Sequence, residues 1–582
     1  MGFMDWTIVA VYLAGMLAIG IWAMRRIHDP GGFLLGKRKM GKLMMIASTF
    51  SSGTSANDPV TVASQCYTSG VSGVWFSLYN LFLTPIFWMM PPAYRRLRMV
   101  TMVDFIRMRY GRELEVFYNV VQTIVSTLAI GGGIKAASLV VAAVSRGALH
   151  EFWWQVIIAA LILGYGLPGG IIAVFATDIV QSLLIVVLSF ILLPFAAAKV
   201  GGMGGLADKV APAMFRLFSE EMSPQWVFWA ALGGIFSIMA ESRQAAHGGA
   251  RNEISARCSV FGMFVKRVCT VGWMMAGVFA IGLYGTGLAE PNKVFAMMSQ
   301  DVLPAGLLGI LVASILAAAM ALGSGGMVFG TSILLNNIYR RFLVPSASPK
   351  HYLLVARIGG AVMVLLGLLM ATMVQDLVQY VLKVAQVATV VGLPVACAIF
   401  WRRGTRAGAI AAALVMGPLF YYGTQYASLP EAWRFWLLDR YAGPGGGLPL
   451  TVWTPLYLVP GIVTFVLVSL LTRQHDERSV REFYARLDTP VGEEARLREQ
   501  GIEVDLLERL DGTAIAVSDK DHDLSRRLLL VDLLVFPHRV LTGKGGLSDY
   551  KWDFVGIVIV GLFAVALIGV VAWFGAAATA HP

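Results

Sequence analysis

The 582-residue sequence predicts an all-α polytopic membrane protein with about fourteen transmembrane helices. Three observations predict it. Hydrophobic residues make up 57% of the chain, charged residues only 14%, and mean hydropathy is +0.69, whereas soluble domains carry about 25% charged residues. Apolar runs of about 20 residues recur along most of the length, each long enough to cross a bilayer core of roughly 30 Å. Basic residues are concentrated in alternate connections, as the positive-inside rule requires. This composition argues against a soluble enzyme, and the short alternating strands of an outer-membrane barrel are absent.

Taken in order, the expected spans are 5–25, 40–66, 72–94, 116–145, 152–173, 175–199, 223–241, 258–287, 303–335, 353–374, 376–401, 405–423, 451–471 and 552–576. The first connection carries Arg25, Arg26, Lys37, Arg38, Lys39 and Lys42. The third carries Arg95, Arg96 and Arg98, the seventh Arg243, Arg251 and Arg257, the ninth Arg340 and Arg341, and the eleventh Arg402, Arg403 and Arg406. The connections between these carry almost none. MGFMDW, at the start, has no basic residue and no cleavable signal is evident. This charge order sets both termini outside and 472–550 in the cytoplasm. The net charge of +11 reads as the same bias rather than as nucleic-acid binding. Cys66, Cys258, Cys269 and Cys397 have no paired spacing, so neither a disulfide framework nor a zinc site is expected. Residues 472–550 hold the charge-dense RQHDERSVREFYARLDTPVGEEARLREQG and the amphipathic or interfacial RRLLLVDLLVF, without a P-loop or kinase motif, and read as a solvated linker packing on the inner face or as a regulatory or partner-binding segment.

Two spans look broken. SSGTSANDPV, Ser51 to Val60, sets Gly53, Asn57, Asp58 and Pro59 at mid-depth in the second span. Gly233-Gly234, followed by Ser237, interrupts the seventh. Helix breaks inside a membrane occur where freed backbone lines a cavity. Breaks five spans apart match a five-plus-five inverted repeat, and paired interruptions point to a transport site.

GGIIAVFATDIVQS, Gly169 to Ser182, resembles the signature of the sodium:solute symporter family through Gly169, Gly170, Ala173, Thr177, Asp178 and Gln181. AAAMALGSGGMVFGTSILLNNIY from Ala317, Arg243-Gln244-Ala245-Ala246, and Phe400-Trp401-Arg402-Arg403 are similar to further family segments, in order over about 5–425. The resemblance implies a leucine-transporter-type core. An extra helix would occupy 1–26, the first repeat 40–201 with core helices one to five, and the second repeat 223–403 with core helices six to ten. Two peripheral helices would follow in 404–471, then the charged linker 472–550 and a last helix in 551–582. It implies sodium-coupled symport of a small organic solute by alternating access, in a bacterial plasma membrane, with no other cofactor and no catalysis.

The family places sodium between core helices one and eight, which here implies Ser51, Thr54 and Ala318 through carbonyl groups. The two hydroxyl positions fall on Ala321 and Leu322, which have no hydroxyl, and Ser324 is the expected substitute. Sodium, a hard cation, takes oxygen ligands. Asp58 has several readings: an ion ligand, a proton carrier, a partner for a cationic solute, or a helix cap ahead of Pro59. The expected solute contacts are Asn57, Asp58, Asn80, Lys135, Gly233, Ser237, Lys383 and Gln386. Lys135 in GGGIKAAS and Lys383 either snorkel or face the cavity, and two intramembrane lysines tilt the solute toward a carboxylate. Lys266 reads as an interfacial anchor. Proton-coupled or uncoupled transport, or a transporter-like sensor, stand as alternatives.

Overall fold

The apolar stretches fold into helices in the expected order. The computed structural model describes residues 1–25, 40–99, 101–443, 445–502, 527–542 and 546–579. The basic residues Arg26, Lys37, Arg38 and Lys39, and linker residues 503–526, lie outside the described residues. The helices that matter here are α1 (Phe3–Met24), α2 (Lys42–Ser52), α3 (Asn57–Ser69), α4 (Thr84–Leu97), α5 (Met102–Tyr110), α6 (Arg112–Val144) and α7 (Glu151–Phe190). They continue with α8 (Pro224–Ala240), α9 (Glu253–Tyr284), α10 (Leu307–Ser332), α11 (Pro349–Met373), α12 (Leu377–Val387), α13 (Thr389–Phe400), α14 (Arg406–Thr424), α15 (Leu450–Leu471), α16 (Glu477–Asp488) and α17 (Lys551–Thr579). Among the described residues the sole β pairing is an isolated bridge, Met40 with Ala250.

Among the described residues, eleven helical stretches are long and apolar enough to cross a bilayer, and Glu151–Leu167 and Pro224–Ala240 are shorter apolar helices. The outward faces are apolar: Leu562, Val565 and Trp573 on α17, Leu365 and Leu369 on α11, and Leu467 on α15 are all exposed. The interior holds buried Asp178, Gln122, Gln386 and Arg267. Apolar residues outside and polar ones inside suit a lipid solvent, where every polar group must be satisfied within the protein. Gly169 and Gly170, expected to lead into a loop, lie inside α7. At 40 residues, α7 is about 60 Å long, twice the bilayer core, and contains one expected span and the start of the next.

Two groups of helices face each other. α9 runs along α2, α3 and α4, while α10 and α11 run along α6 and α7. Close approach relies on small residues. A Cβ on Gly262 of α9 would lie 2.5 Å from the Ile46 carbonyl of α2, and one on Gly277 would lie 2.4 Å from that of Ala63 on α3. α1 is fastened by Asp5, whose buried carboxylate accepts from the backbone N–H groups of Gly306 (2.7 Å) and Gly309 (2.9 Å) at the start of α10. An anion there complements the positive end of the helix dipole.

At one end of the bundle, residues 477–499 are packed on the protein. Phe483 of α16 meets Phe105 of α5 edge-on at 5.2 Å, and the Tyr484 hydroxyl donates to the Ala398 carbonyl of α13 at 2.7 Å. Arg96 pairs with Glu253 at 2.9 Å, both buried, and Arg98 with Glu494 at 2.8 Å. Burial works against ionisation of Glu494, but the Arg98 guanidinium and the Gly492 N–H outweigh it and hold its carboxyl below the usual range. This stretch packs on the bundle and supplies Glu494 to Arg98 and Asp488 to Arg402. α17 is held by the buried pair Arg257–Asp553 at 2.6 Å.

Candidate functional site

The break in the second expected span is real and local. α2 stops at Ser52, α3 starts at Asn57, and the residues between are not helical. The Thr54 N–H donates to the Ser51 carbonyl at 3.1 Å, and the Ser55 N–H donates to Asp58 Oδ2 at 2.7 Å. Asp58, in the first turn of α3, thus ties the non-helical segment back to the helix start, and no side chain caps α3 at Ala56. The Gly53 carbonyl is left at the end of α2 without an intrahelical partner. Lys266 of α9 fills that place: its Nζ donates to Gly53 O at 2.5 Å and lies 3.0 Å from Asp58 Oδ2.

The break opens onto a chamber of about 210 Å³ between the two helix groups. α3 contributes Asn57 and Asp58, α6 Gln122 and Ser126, α8 Ser237, α9 Lys266, α10 Leu322, and α12 Tyr380 and Val384. Gly132 and Gly133 let α6 approach the break, since a Cβ at Gly133 would be 3.3 Å from Ser55 Oγ. A smaller chamber of about 150 Å³ adjoins it, sharing Asp58, Ser237, Glu241, Arg243 and Lys266, and adds Asn80 and Arg267. Both side-chain polar atoms of Gln122, Asn57 Oδ1 and Ser55 Oγ are buried without a hydrogen-bond partner. Unsatisfied polar groups facing a cavity are costly alone and suit a ligand that bonds them.

Asn57, Asp58 and Ser237 line the larger chamber and Asn80 the smaller. The other four expected solute contacts line neither. Lys135 pairs instead with Glu151 at 2.8 Å, because α7 starts opposite it and supplies a carboxylate. Lys383 is on α12, whose chamber-facing residues are Tyr380, Val381, Val384 and Ala385. Gly233 and Gln386 pack on each other: a Cβ on Gly233 would sit 2.4 Å from Gln386 Oε1, which accepts from Tyr457 at 2.9 Å. The expected break at Gly233-Gly234 is absent, and α8 is continuous from Pro224 to Ala240. Its glycines make room for Gln386 and for Tyr79 and Leu83. The interruption lies in the facing segment, at Ala388 between α12 and α13. There Ser237 Oγ donates to Ala385 O (2.6 Å) and Thr389 Oγ1 to Gly233 O (3.1 Å).

Lys266, read from sequence as an interfacial anchor, is at the break because α9 begins at Glu253, thirteen residues earlier. The signal was FVKRVC, two consecutive basic residues well inside an apolar run. Gln122 and Arg267 were missed altogether. At the expected ion position, Ser51 and Thr54 are buried and their hydroxyl oxygens have no partner. Ala318 and Ala321 are buried and bring no side-chain oxygen, Leu322 faces the chamber, and Ser324 Oγ donates to its own helix at Ala321 O (3.3 Å). Asp178 of α7 lies against Ser48 and Ser51, buried, and neither of its carboxylate oxygens has a hydrogen-bond partner.

The sequence model of the Sodium:solute symporter family matches residues 33–417. The chain belongs to the sodium:solute symporter family. It is 27% identical to the sodium/proline symporter of Haemophilus influenzae over 440 residues, 70% of this chain and 85% of that one. It is 26% identical to sodium/glucose cotransporter 2 of Rattus norvegicus over 499 residues, 74% of this chain and 73% of that one. A solved Na+-coupled sialic acid symporter shares the fold, with a TM-score of 0.66 and 17% identity over 81% of this chain and 99% of that one. Family membership makes the chain a multi-pass membrane transporter for sodium-coupled symport of a small-molecule solute, and not an enzyme.

Proposed function

We propose that the chamber at the α2–α3 break is the central solute site of transport, and that sodium is held outside its lining, on the residues buried behind the break. The carrying observation is the set of buried, partnerless oxygens and amides around the break. Gln122 and Asn57 would bond the solute, with Tyr380 and Leu322 as apolar walls. Ser51, Thr54 and Asp178 would hold the ion, since two hydroxyls and a carboxylate are hard oxygen donors. This donor set replaces the core-eight hydroxyls that Ala321 and Leu322 lack. Residues 40–201 and 223–403 would form the two repeats, α16 would lie on the cytoplasmic side of a bacterial plasma membrane, and both termini would lie outside.

Thermal unfolding of the purified protein in sodium, with potassium at equal ionic strength as control, tests this reading. A ligand that binds the native state raises its stability. A saturable sodium-specific rise that Asp178→Asn removes supports it. A response to pH alone, with none to sodium, would replace sodium by the proton as coupling ion. Uptake that survives Gln122→Ala unchanged would move the solute elsewhere.

A further inference from the structure

The charges around the smaller chamber do not cancel. Three basic groups line it: Arg243, Lys266 and Arg267. Two acidic groups do, Asp58 and Glu241. Lys266 is paired with Asp58, and Arg243 with Glu241. Arg267 is left over. It is 3% exposed, donates through Nη1 to the carbonyl (3.2 Å) and hydroxyl (3.5 Å) of Ser77, and its Nε has no partner. No carboxylate lies within ion-pair distance of it among the described residues. An intramembrane guanidinium without an ion-pair partner of its own is expensive and marks a functional site.

We infer that the solute is a small organic monoanion, a monocarboxylate, whose head group supplies the charge missing opposite Arg267. This rests on the chamber being the transport site. A neutral sugar would leave the guanidinium uncompensated. A zwitterionic amino acid would bring the anion together with an ammonium, and both carboxylates that could receive it already hold a chamber base. Arg267 offers the planar donor set that matches a carboxylate, and Asn80 stands beside it in the lining. The adjoining larger chamber presents Leu128, Val381, Val384 and Tyr380, an apolar wall for the rest of the solute. The two chambers share their lining at Asp58 and Lys266, so the Arg267 end and the apolar end are set next to each other. The carboxylate preference thus comes from Arg267, and not from Lys135 and Lys383, which stand apart.

The test is thermal unfolding of the full-length protein at fixed sodium with sulfate as background anion. The probes are acetate, propionate, butyrate and lactate, with the matching amides, glucose, proline and chloride. At least one monocarboxylate should stabilise saturably while its amide does not. The apparent affinity should weaken by about tenfold or more in Arg267→Gln, recover in part in Arg267→Lys, and stay unchanged in Lys383→Gln. Stabilisation by glucose or proline that persists in Arg267→Gln overturns the inference and leaves the transport site standing. Chloride binding as well as the carboxylates, with no difference between them, would assign Arg267 to an inorganic ion and also overturn it. So would the absence of any response to the four acids. Loss of every response, sodium included, would remove the transport site itself. If Arg267→Gln does not fold, the acid-against-amide comparison in the wild type decides.

Discussion

Lys266 Nζ sits 3.0 Å from Asp58 Oδ2 and 2.5 Å from the Gly53 carbonyl, so an ammonium closes the helix break from the side. Both side chains are largely buried, and each satisfies what the other would leave bare. Removing one partner of such a pair leaves a buried charge, at a cost of about 3 kcal/mol. Lys266→Met and Asp58→Asn should each lower thermal stability by that order and abolish uptake. The double variant should recover much of the stability and none of the transport. Additive losses, with the double variant falling by the sum of the two singles, would show that the pair is not coupled.

Gly392 and Gly233 give a graded steric test. A Cβ on Gly392 would stand 2.0 Å from the Phe236 carbonyl, a backbone atom that cannot step aside. Gly392→Ala should destabilise by about 1–3 kcal/mol through overpacking. Gly233→Ala meets the end of the Gln386 side chain, which can turn away. It should cost less stability, but it breaks the Tyr457–Gln386 hydrogen bond beside the α12–α13 break and should slow transport. Unfolding temperature and initial uptake rate, measured together, separate the two.

Asp178 separates ion from solute. Its oxygens have no hydrogen-bond partner and it lines neither chamber. Asp178→Asn should abolish the sodium-induced rise in stability and raise the sodium concentration needed for half-maximal uptake by tenfold or more, on the order of the loss of one charge-assisted contact. A sodium response left intact would place the ion elsewhere.

The Arg98–Glu494 pair sets a pH dependence for the α16 region. Its carboxyl titrates below the ordinary value of about 4.3. Such a group stabilises the docked segment above the ordinary value, and that contribution is lost as pH falls through the lowered one. Limited proteolysis between 477 and 502 should therefore be slower in wild type than in Glu494→Gln at pH 6–7. The two should converge only as pH falls through that lowered value. A constant difference across this range would mean that the pair does not hold the segment.

Span positions and the α2–α3 break were legible because hydropathy and helix breakers act locally. An apolar run is costly in water whatever surrounds it, and Gly53 with Asn57-Asp58-Pro59 ends one helix and starts another by its own backbone chemistry. Family membership was legible because Gly169 to Ser182 keeps its residue types in order. The function of Gly233-Gly234 was not, since a glycine pair serves equally to break a helix or to admit a neighbour. Only the position of Gln386 and Tyr79 decided for packing.

The sequence by itself thus determined that this chain spans a membrane, where its helices lie, where one of them opens, and to which family it belongs. Tertiary structure alone decided which charges meet. Lys135 found Glu151, Lys266 found Asp58, and Arg267 was left without a carboxylate, although all three bases lie in apolar segments that look alike in sequence. The physical reason is that electrostatic partners are set by distance in space, and α9 meets the break only once it packs along α2 and α3.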